Sequence, residues 1–576
     1  MNIIEIEKLI EEFRITFLGE EWIWRKGQKE TIIEIIQTYL NKTHNVMILD
    51  CPTGSGKSMI AMCAAWIFNQ IDKKCYILSS DLSLQRQYEN DVKKFNLNYG
   101  SICGVDNYLC ADNNEKNSLG TCRIRNKPPK RMYCYNECPY FMARDHASKT
   151  STSLLNYAYW LISQNYVNQH IDEPFFSPRQ ITFCDEGHKL LDIVQNHYSP
   201  KFDKKTIEKI QKLTEFFAVY KVKDHILDFT NIKGNIGKLF KTENQDTLHE
   251  ILLEIENSFE SYRSSWELLK DKVSKEYPHD DPPKEWREAL RLCDWLKDLH
   301  CKIEDYNDIV GKTSTRNIVK NPTSEDELTF NCLEESYMMN KYFHQWTGFT
   351  VLMSATFADP NNYLKSIALN TAKYIKMDSN FSFEKSPIYF YNKRRMTYNQ
   401  IEANLPWLYQ KLDEILEKHK HESGIIHTAS YDLAMKIYEH IPKRHRRRIL
   451  VYNGTEEKRE VLNLLKKNKN KVLLGPSLRT GLSLDNEWAR FAIIAKIPYP
   501  SLSDKFIIAK LKMSSEWYRE KTIIEILQSV GRTVRNESDY CITYILDACL
   551  GDLIHQQRLS FPKEFLDRIK VINELN

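Results

Sequence analysis

No apolar run in this sequence approaches the roughly 18 residues that a membrane-spanning helix requires, so a transmembrane reading is excluded. The first residues, MNIIEIEKLIEEF, lack the basic region of a secretory signal and have instead the pattern of an acidic amphipathic helix. No internal repeat shows a clear period and no extended low-complexity tract interrupts the chain, which argues against solenoids and disordered linkers. A dominant charge is missing too. The 81 Lys and Arg face 77 Asp and Glu, and the net charge of +4 selects no class of partner. These absences predict a soluble intracellular protein, cytoplasmic or, in a eukaryote, nuclear, with no membrane partner.

What is present describes a multidomain globular chain. Its 576 residues, 42% apolar and 27% charged, are too many for one core and predict three or four domains. In a reducing compartment the 14 cysteines are expected as thiols, and a clustered subset is better explained by a metal than by disulfides. Four of them, Cys110, Cys122, Cys134 and Cys138, fall in one short basic segment, CADNNEKNSLGTCRIRNKPPKRMYCYNECPY. Four thiolates suit a zinc ion or an iron-sulfur cluster equally well, and spacing alone leaves both open. The basic groups KRHRRR (443–448), KKNKNK (466–471) and Lys127, Lys130 and Arg131 could each meet phosphates. Such runs are more often solvated faces.

Two stretches alternate short apolar runs with amphipathic helices, the signature of parallel sheets covered by helices. In the first, VMILDC (46–51), CYILSS (75–80), ITFCDE (181–186) and TVLMSAT (350–356) read as strands. In the second, SGIIHTAS (423–430), RILVYNG (448–454), KVLLGPS (471–477), FAIIAKIP (491–498) and CITYILDA (541–548) do so. Two insertions interrupt the first stretch. One is the cysteine segment. The other, about 199–343, reads as helical, with Leu248, Ile251, Leu252, Ile255, Phe259 and Tyr262 recurring at three- and four-residue spacing.

LDCPTGSGKSMIAMCAAW has the strand, glycine-rich loop and helix order of a phosphate site. Gly54 and Gly56, with Thr53 and Ser55 between and beside them, let backbone N–H groups turn inward around an anion. Lys57 would reach the β- and γ-phosphates of ATP and Ser58 would ligate Mg²⁺. Cys51 stands where a first glycine is expected. Downstream, ITFCDEGHKLL places Asp185 after an apolar strand to hold Mg²⁺, and Glu186 to orient and deprotonate a water. His188 by itself reads as a structural histidine.

Taken in order, WRKGQ, the phosphate loop, SSDLSLQRQY, the cysteine segment, LLNYAYW, DEGH, VLMSATFADPNNY, LRTGLSLD and QSVGRTVRNESD resemble the iron-sulfur superfamily 2 DNA helicases typified by XPD and DinG. The resemblance runs over nearly the whole chain, and NYLC and CPYFMAR, which bracket the cysteines, are close to that family's pattern. It implies an α/β fold of two RecA-like parallel-sheet motor domains, with an iron-sulfur insertion and a helical arch insertion in the first. The implied boundaries are helicase domain 1 at 1–100, 146–198 and 344–378, the cluster domain at 101–145, the arch at 199–343, and helicase domain 2 at 379–576.

Residue by residue, the resemblance implies that Gln28 reads adenine and that Cys110, Cys122, Cys134 and Cys138 ligate one [4Fe-4S] cluster, with Cys103 a bystander. Gln528, Arg532 and Arg535 correspond to motif VI, the arginines as fingers on the transferring phosphoryl group and the glutamine on the attacking water or the γ-phosphate. Ser80, Gln87, Asn156 and Tyr157 lie in segments that resemble strand-contacting motifs. Motif V departs from the family pattern, with Thr480 before Gly481 and Asp485 further on. The implied activity is ATP- and Mg²⁺-dependent unwinding of DNA forks by a monomer moving 5′ to 3′ on single-stranded DNA, in repair or replication. Rival readings are an RNA- or hybrid-directed helicase, a translocase that separates no strands, and a non-catalytic, redox-responsive nucleic-acid-binding protein.

Overall fold

The computed structural model describes the chain apart from residues 53, 125–132, 168–174, 221–228, 278–281, 325, 379–382, 453–460, 462–463, 466, 469, 477–487, 531–539 and 573–576. Its first lobe is built on β1 (Val46–Asp50), β2 (Cys75–Ser79), β3 (Gly100–Ser101), β4 (Thr152–Asn156) and β5 (Arg179–Asp185). A small antiparallel sheet follows, made of β6 (Lys201–Asp203), β7 (Ile318–Ser324) and β8 (Glu327–Cys332), in the order β6-β8-β7. With β9 (Thr347–Ser354) and β10 (Lys373–Lys376) the first lobe is complete, a seven-stranded parallel sheet in the order β10-β1-β9-β5-β2-β4-β3.

Strand and helix alternate here because the strands are buried on both faces. Along β1, Met47 and Leu49 enter one core with the helices Ile3–Phe13 and Lys57–Gln70, while Val46 and Ile48 enter the core on the opposite side. The second core is continuous with the insertion. The long helices Gln245–Glu276 and Lys284–Lys312 contribute Leu252, Ile255, Ile303 and Tyr306 to the apolar cluster that also holds Tyr157 and Trp160. The helical arch is thus rooted in the first lobe by shared hydrocarbon, and the tyrosine rings of Tyr198 and Tyr342 stack at 3.6 Å at its base.

The second lobe holds β11 (Ile388–Tyr391), β12 (Gly424–His427), β13 (Ile449–Val451), β14 (Val472–Gly475), β15 (Phe491–Ile494), β16 (Ile542–Ile545) and β17 (Ile569–Ile572). They form a second seven-stranded parallel sheet in the order β13-β14-β12-β15-β16-β11-β17. Polar contacts carry the second lobe against the first lobe and the arch. Asn321 Nδ2 donates to Asp504 Oδ1 at 3.0 Å, Lys505 pairs with Glu243 at 3.3 Å, and Lys521 pairs with Asp192 at 2.5 Å. Lys510 makes a buried ion pair with Glu335, and Asn362 Nδ2 reaches Glu520 Oε1 at 2.7 Å.

The strand runs named above are present, and β3, β4, β10, β11 and β17, together with the small sheet, are additions to that reading. The sequence of β4, TSLLN, presents only two consecutive leucines to a pattern search, too short a run to stand out from a loop.

Candidate nucleotide site and nucleic-acid interface

β1, β9 and β5 are neighbours in the first sheet, with Asp50 beside Ser354 and Asp185 beside Met353. The loops leaving their carboxyl ends therefore bring the glycine-rich loop, Ser354 and Asp185 into one crevice, where open α/β sheets bind their ligands. Gly54 and Gly56 adopt φ of 80° and 82°, the left-handed region that a side chain resists. Gly56 also opens the helix Lys57–Gln70, whose N-terminal N–H groups face the loop. The Lys57 ammonium donates to the Cys51 carbonyl at 3.3 Å, and Ser58 stands half-buried in the first helical turn. Thr53 lies outside the described residues.

Gln28 grips the loop from the side. Its Nε2 donates to the buried Ser55's carbonyl at 2.8 Å and its Oε1 accepts from the Arg25 N–H at 2.8 Å, so each end of the amide holds one protein partner. Arg25, which the sequence reading passed over, adds a guanidinium bond to the Gly54 carbonyl. The signal for it was WRKGQ itself, since the arginine sits three residues before Gln28, just ahead of the helix Gln28–Leu40.

Asp185 is 3% exposed. Its Oδ2 accepts from the Tyr88 hydroxyl at 2.9 Å and its Oδ1 from the Glu186 N–H at 2.9 Å. Burial pushes its carboxyl above the ordinary range, with the Lys57 charge opposing and Glu186 adding to the shift. Glu186 itself has φ of 54°, a left-handed conformation rare outside glycine, which turns the chain sharply off β5. The donor set that faces the crevice, a carboxylate and a serine hydroxyl beside a lysine, has the hard oxygen chemistry of a Mg²⁺-nucleotide site.

His188, expected as a structural histidine, is buried and joins three motifs. It is 6% exposed, and its Nδ1 lies 2.7 Å from Ser354 Oγ and 3.4 Å from Glu186 Oε2. Its Nε2 lies 2.6 Å from Gln528 Nε2, on the second lobe's helix Ser515–Val530. With the Gln528 amide donating, His188 is protonated on Nδ1, which donates to Ser354. Ser354 Oγ in turn donates to the Thr356 carbonyl at 2.9 Å. Burial draws the imidazole down to about 4, so the ring is neutral and this chain of donors is intact near neutral pH. Gln528 is thereby placed beside the Asp185–Glu186 turn. Arg532 and Arg535, and the divergent stretch with Thr480, Gly481 and Asp485, lie outside the described residues.

The segments proposed to meet nucleic acid emerge from β2 and β4, adjacent strands of the same sheet. Ser80 is half-buried with its hydroxyl on Asp81 Oδ2 at 3.0 Å, and Gln87 is exposed on the helix Leu82–Lys94. Half-buried Asn156 caps the helix Tyr157–Ile162, accepting from the Tyr159 N–H at 2.8 Å. Tyr157 corrects the expectation of a contact residue: it is fully buried, and its hydroxyl donates to the Asp185 carbonyl at 3.1 Å. An aromatic one position inside a helix cap faces the core, which motif position alone did not reveal.

The four cysteines are all buried, at 5%, 7%, 8% and 4% exposed for Cys110, Cys122, Cys134 and Cys138. Cys122, Cys134 and Cys138 share one cluster with Phe141, and Cys138 Sγ accepts from Asn117 Nδ2 at 3.2 Å. Burial, with Asp112, Cys110 and Cys138 adding negative charge nearby, raises the Cys134 thiol. Gly120 lies so close to Cys110 that an added Cβ would sit 3.2 Å from its sulfur. Four thiolates on a single ion would stand within about 4 Å of one another. Among the described residues no group of three or more ligating side chains is placed to hold one ion.

Of the basic runs, KRHRRR is largely structural. Arg444 and His445 meet Asp413 at 2.5 and 3.0 Å, and the buried Arg448 donates to the Leu416 and His419 carbonyls at 3.2 and 2.8 Å, capping the helix Ile401–Lys418. No described helix is long and apolar enough to cross a membrane.

Comparison with known proteins agrees with this geometry. Residues 412–563 match the helicase C-terminal domain family and residues 21–230 match the family described as type III restriction enzyme, res subunit. A probable ATP-dependent helicase of Methanocaldococcus jannaschii, MJ0942, is 25% identical over 195 residues, 30% of this chain and 29% of that one. The ATP-dependent DNA helicase CHL1 of Debaryomyces hansenii is 27% identical over 117 residues, 16% of this chain and 14% of its own. Each of these matches spans less than a third of the relative's length. Among solved structures, S. tokodaii Xpd4 superposes with a TM-score of 0.60 at 16% identity, covering 95% of this chain and 100% of that one. A structure titled XPD helicase gives 0.62 at 16% identity, with 95% and 99% covered.

Proposed function

We propose that this chain, XPD/DinG-like in its two motor lobes and in its overall fold, is an ATP-dependent DNA helicase that moves 5′ to 3′ along single-stranded DNA and opens forks as a monomer. The observation that carries the reading is the His188 bridge, a buried polar connection from the second lobe's Gln528 to the Asp185–Glu186 turn and to Ser354. A site whose two halves are joined through hydrogen bonds rather than hydrocarbon can open and close at small cost.

Within this reading the loop Thr53, Gly54, Ser55, Gly56 and Lys57 receives the triphosphate, and Gln28 holds that loop and meets the adenine. Ser58 and Asp185 would hold Mg²⁺, which when bound neutralises phosphate charge. Glu186 takes the proton of the attacking water, with Gln528 orienting it. Arg532 and Arg535 approach from the second lobe to stabilise charge on the transferring phosphoryl group. Ser80, Gln87 and Asn156 line the strand. Cys110, Cys122, Cys134 and Cys138 would hold a [4Fe-4S] cluster, which when bound supplies a rigid centre for a segment with little apolar core of its own. Burial of all four thiols, three of them in one apolar cluster with Phe141, supports a shared group at this segment. The pathway served is repair or replication of DNA.

The experiment is ATP hydrolysis by the purified chain with single-stranded DNA, RNA or neither, beside strand separation on a 5′-tailed duplex. DNA-stimulated hydrolysis and unwinding, both abolished in Lys57→Ala, are expected. Stimulation by RNA alone would transfer the chain to the RNA-directed helicases. Nucleic-acid binding with no hydrolysis by the unsubstituted chain, and no change of any activity in Lys57→Ala, would make it a non-catalytic binder.

A further inference from the structure

Behind the strand-facing segments lie two tyrosines to which neither hydrolysis nor strand binding has assigned a task. Tyr88 and Tyr157 are 1% and 0% exposed, and both hydroxyls end on one residue. Tyr88 donates to the Asp185 carboxylate at 2.9 Å, and Tyr157 to the Asp185 main-chain carbonyl at 3.1 Å. Each directly follows a residue assigned to the strand: Gln87 precedes Tyr88 on the helix Leu82–Lys94, and Asn156 precedes Tyr157 at the end of β4.

The two segments are also tied to each other. Buried Gln85 accepts from Asn156 Nδ2 at 3.2 Å through its Oε1, and its Nε2 donates to Ser101 Oγ and the Ile102 carbonyl at 2.9 Å each. Gln85 and Tyr88, three residues apart, share the inner face of their helix, and Gln87 is on the outer one. Phenylalanine could fill either tyrosine position without a buried hydroxyl to satisfy. Both hydroxyls are spent on Asp185, that of Tyr157 also lying against the Cys184 thiol.

We propose that Tyr88 and Tyr157 are positioning residues that couple strand to nucleotide: a polynucleotide held at Gln87 and Asn156 moves the two linked segments together, and the paired hydroxyls carry that movement to Asp185. The proposal rests on the helicase reading above, in which those two residues face a strand and Asp185 serves the Mg²⁺-nucleotide. Coupling of this kind is reciprocal, so the strand must change nucleotide affinity by the factor with which nucleotide changes strand affinity.

The test is a binding cycle on the full chain with Mg²⁺, a fluorescent non-hydrolysable ATP analogue and an oligothymidylate. The Kd of each is measured with and without the other. The wild-type coupling factor is expected at about tenfold, inside the usual range of about 5 to 150. Tyr88→Phe and Tyr157→Phe are each expected to bring it below about threefold, a larger change than either causes in the affinity for one ligand alone. Tyr99→Phe removes another buried hydroxyl of the same lobe, bonded to the Met62 carbonyl at 2.6 Å, and is expected to keep the wild-type factor. An unchanged factor in both Tyr88→Phe and Tyr157→Phe overturns the relay, and so does an equal loss in Tyr99→Phe. A wild-type chain that binds no oligonucleotide overturns the helicase reading itself, and the relay falls with it.

Discussion

Replacing His188 with alanine removes a side chain that touches the first lobe's Glu186 and Ser354 and the second lobe's Gln528. The substitution takes the Gln528 amide's bond to the imidazole and one bond of the Ser354 hydroxyl, which keeps Thr356, and both groups stay buried, Ser354 at 0% and Gln528 at 9% exposed. A lost neutral hydrogen bond whose partner stays buried costs about 1–3 kcal/mol. Two of them, taken near the low end, raise the barrier by about 2–3 kcal/mol, or a 30- to 150-fold fall in kcat/KM for strand-stimulated ATP hydrolysis. Gln528→Ala breaks one of the two bonds and is expected to lower kcat/KM by about 5- to 30-fold. Because both variants delete the same His188–Gln528 contact, the double variant should fall short of the product of the singles by about 1 kcal/mol, or roughly fivefold. Steady-state hydrolysis at saturating single-stranded DNA, with secondary structure and melting followed in parallel, measures all four corners of the cycle. Effects that multiply to within a factor of about two would mean that the histidine and glutamine act separately. The bridge would then have no part in turnover.

Glu186→Gln keeps the turn after β5 but cannot accept a proton, and hydrolysis is expected to fall by about 10²- to 10⁴-fold with nucleotide binding retained, as read by equilibrium titration. Cys134→Ser is expected to lower bound iron and visible absorbance in protein purified without air and to expose the 101–145 segment to proteolysis, while full iron loading would remove this cysteine from the ligand set. Glu520 is raised to about 7, first by burial, and accepts from Asn362 across the lobes. The folded state therefore binds its proton more tightly than the unfolded chain does, and its contribution to stability is lost as pH rises through about 7. Glu520→Gln should raise the melting temperature more at pH 8 than at pH 6, and an equal gain at both would show that the carboxylate is ionised throughout.

Much of the fold was legible because parallel strands buried on both faces must be written as apolar runs, and β1, β2, β5 and β9 are such runs. The phosphate loop was legible for a different reason: its glycines occupy φ values that other residues resist, and composition has to record that. The partners of His188 were not legible, since they are a matter of tertiary proximity. Ser354 and Gln528 lie 166 and 340 positions away from it, and no periodicity links them. Tyr157 was misplaced because adjacent residues at a helix cap point in different directions, Asn156 across to Gln85 and its neighbour into the core. β6, β7 and β8 escaped notice because a short antiparallel ribbon at the foot of long helices alternates polar and apolar residues over too few positions.

The way the arch foot meets the second lobe has a thermal consequence. Asn321 with Asp504, Lys505 with Glu243 and Lys510 with Glu335 are polar contacts, so parting them hydrates charge and exposes little hydrocarbon. Heat-capacity change follows newly wetted apolar area, so separation there should carry only a small one. Its free energy would then change almost linearly on warming, with little curvature, and would respond to added electrolyte, most steeply for the exposed Lys505 pair.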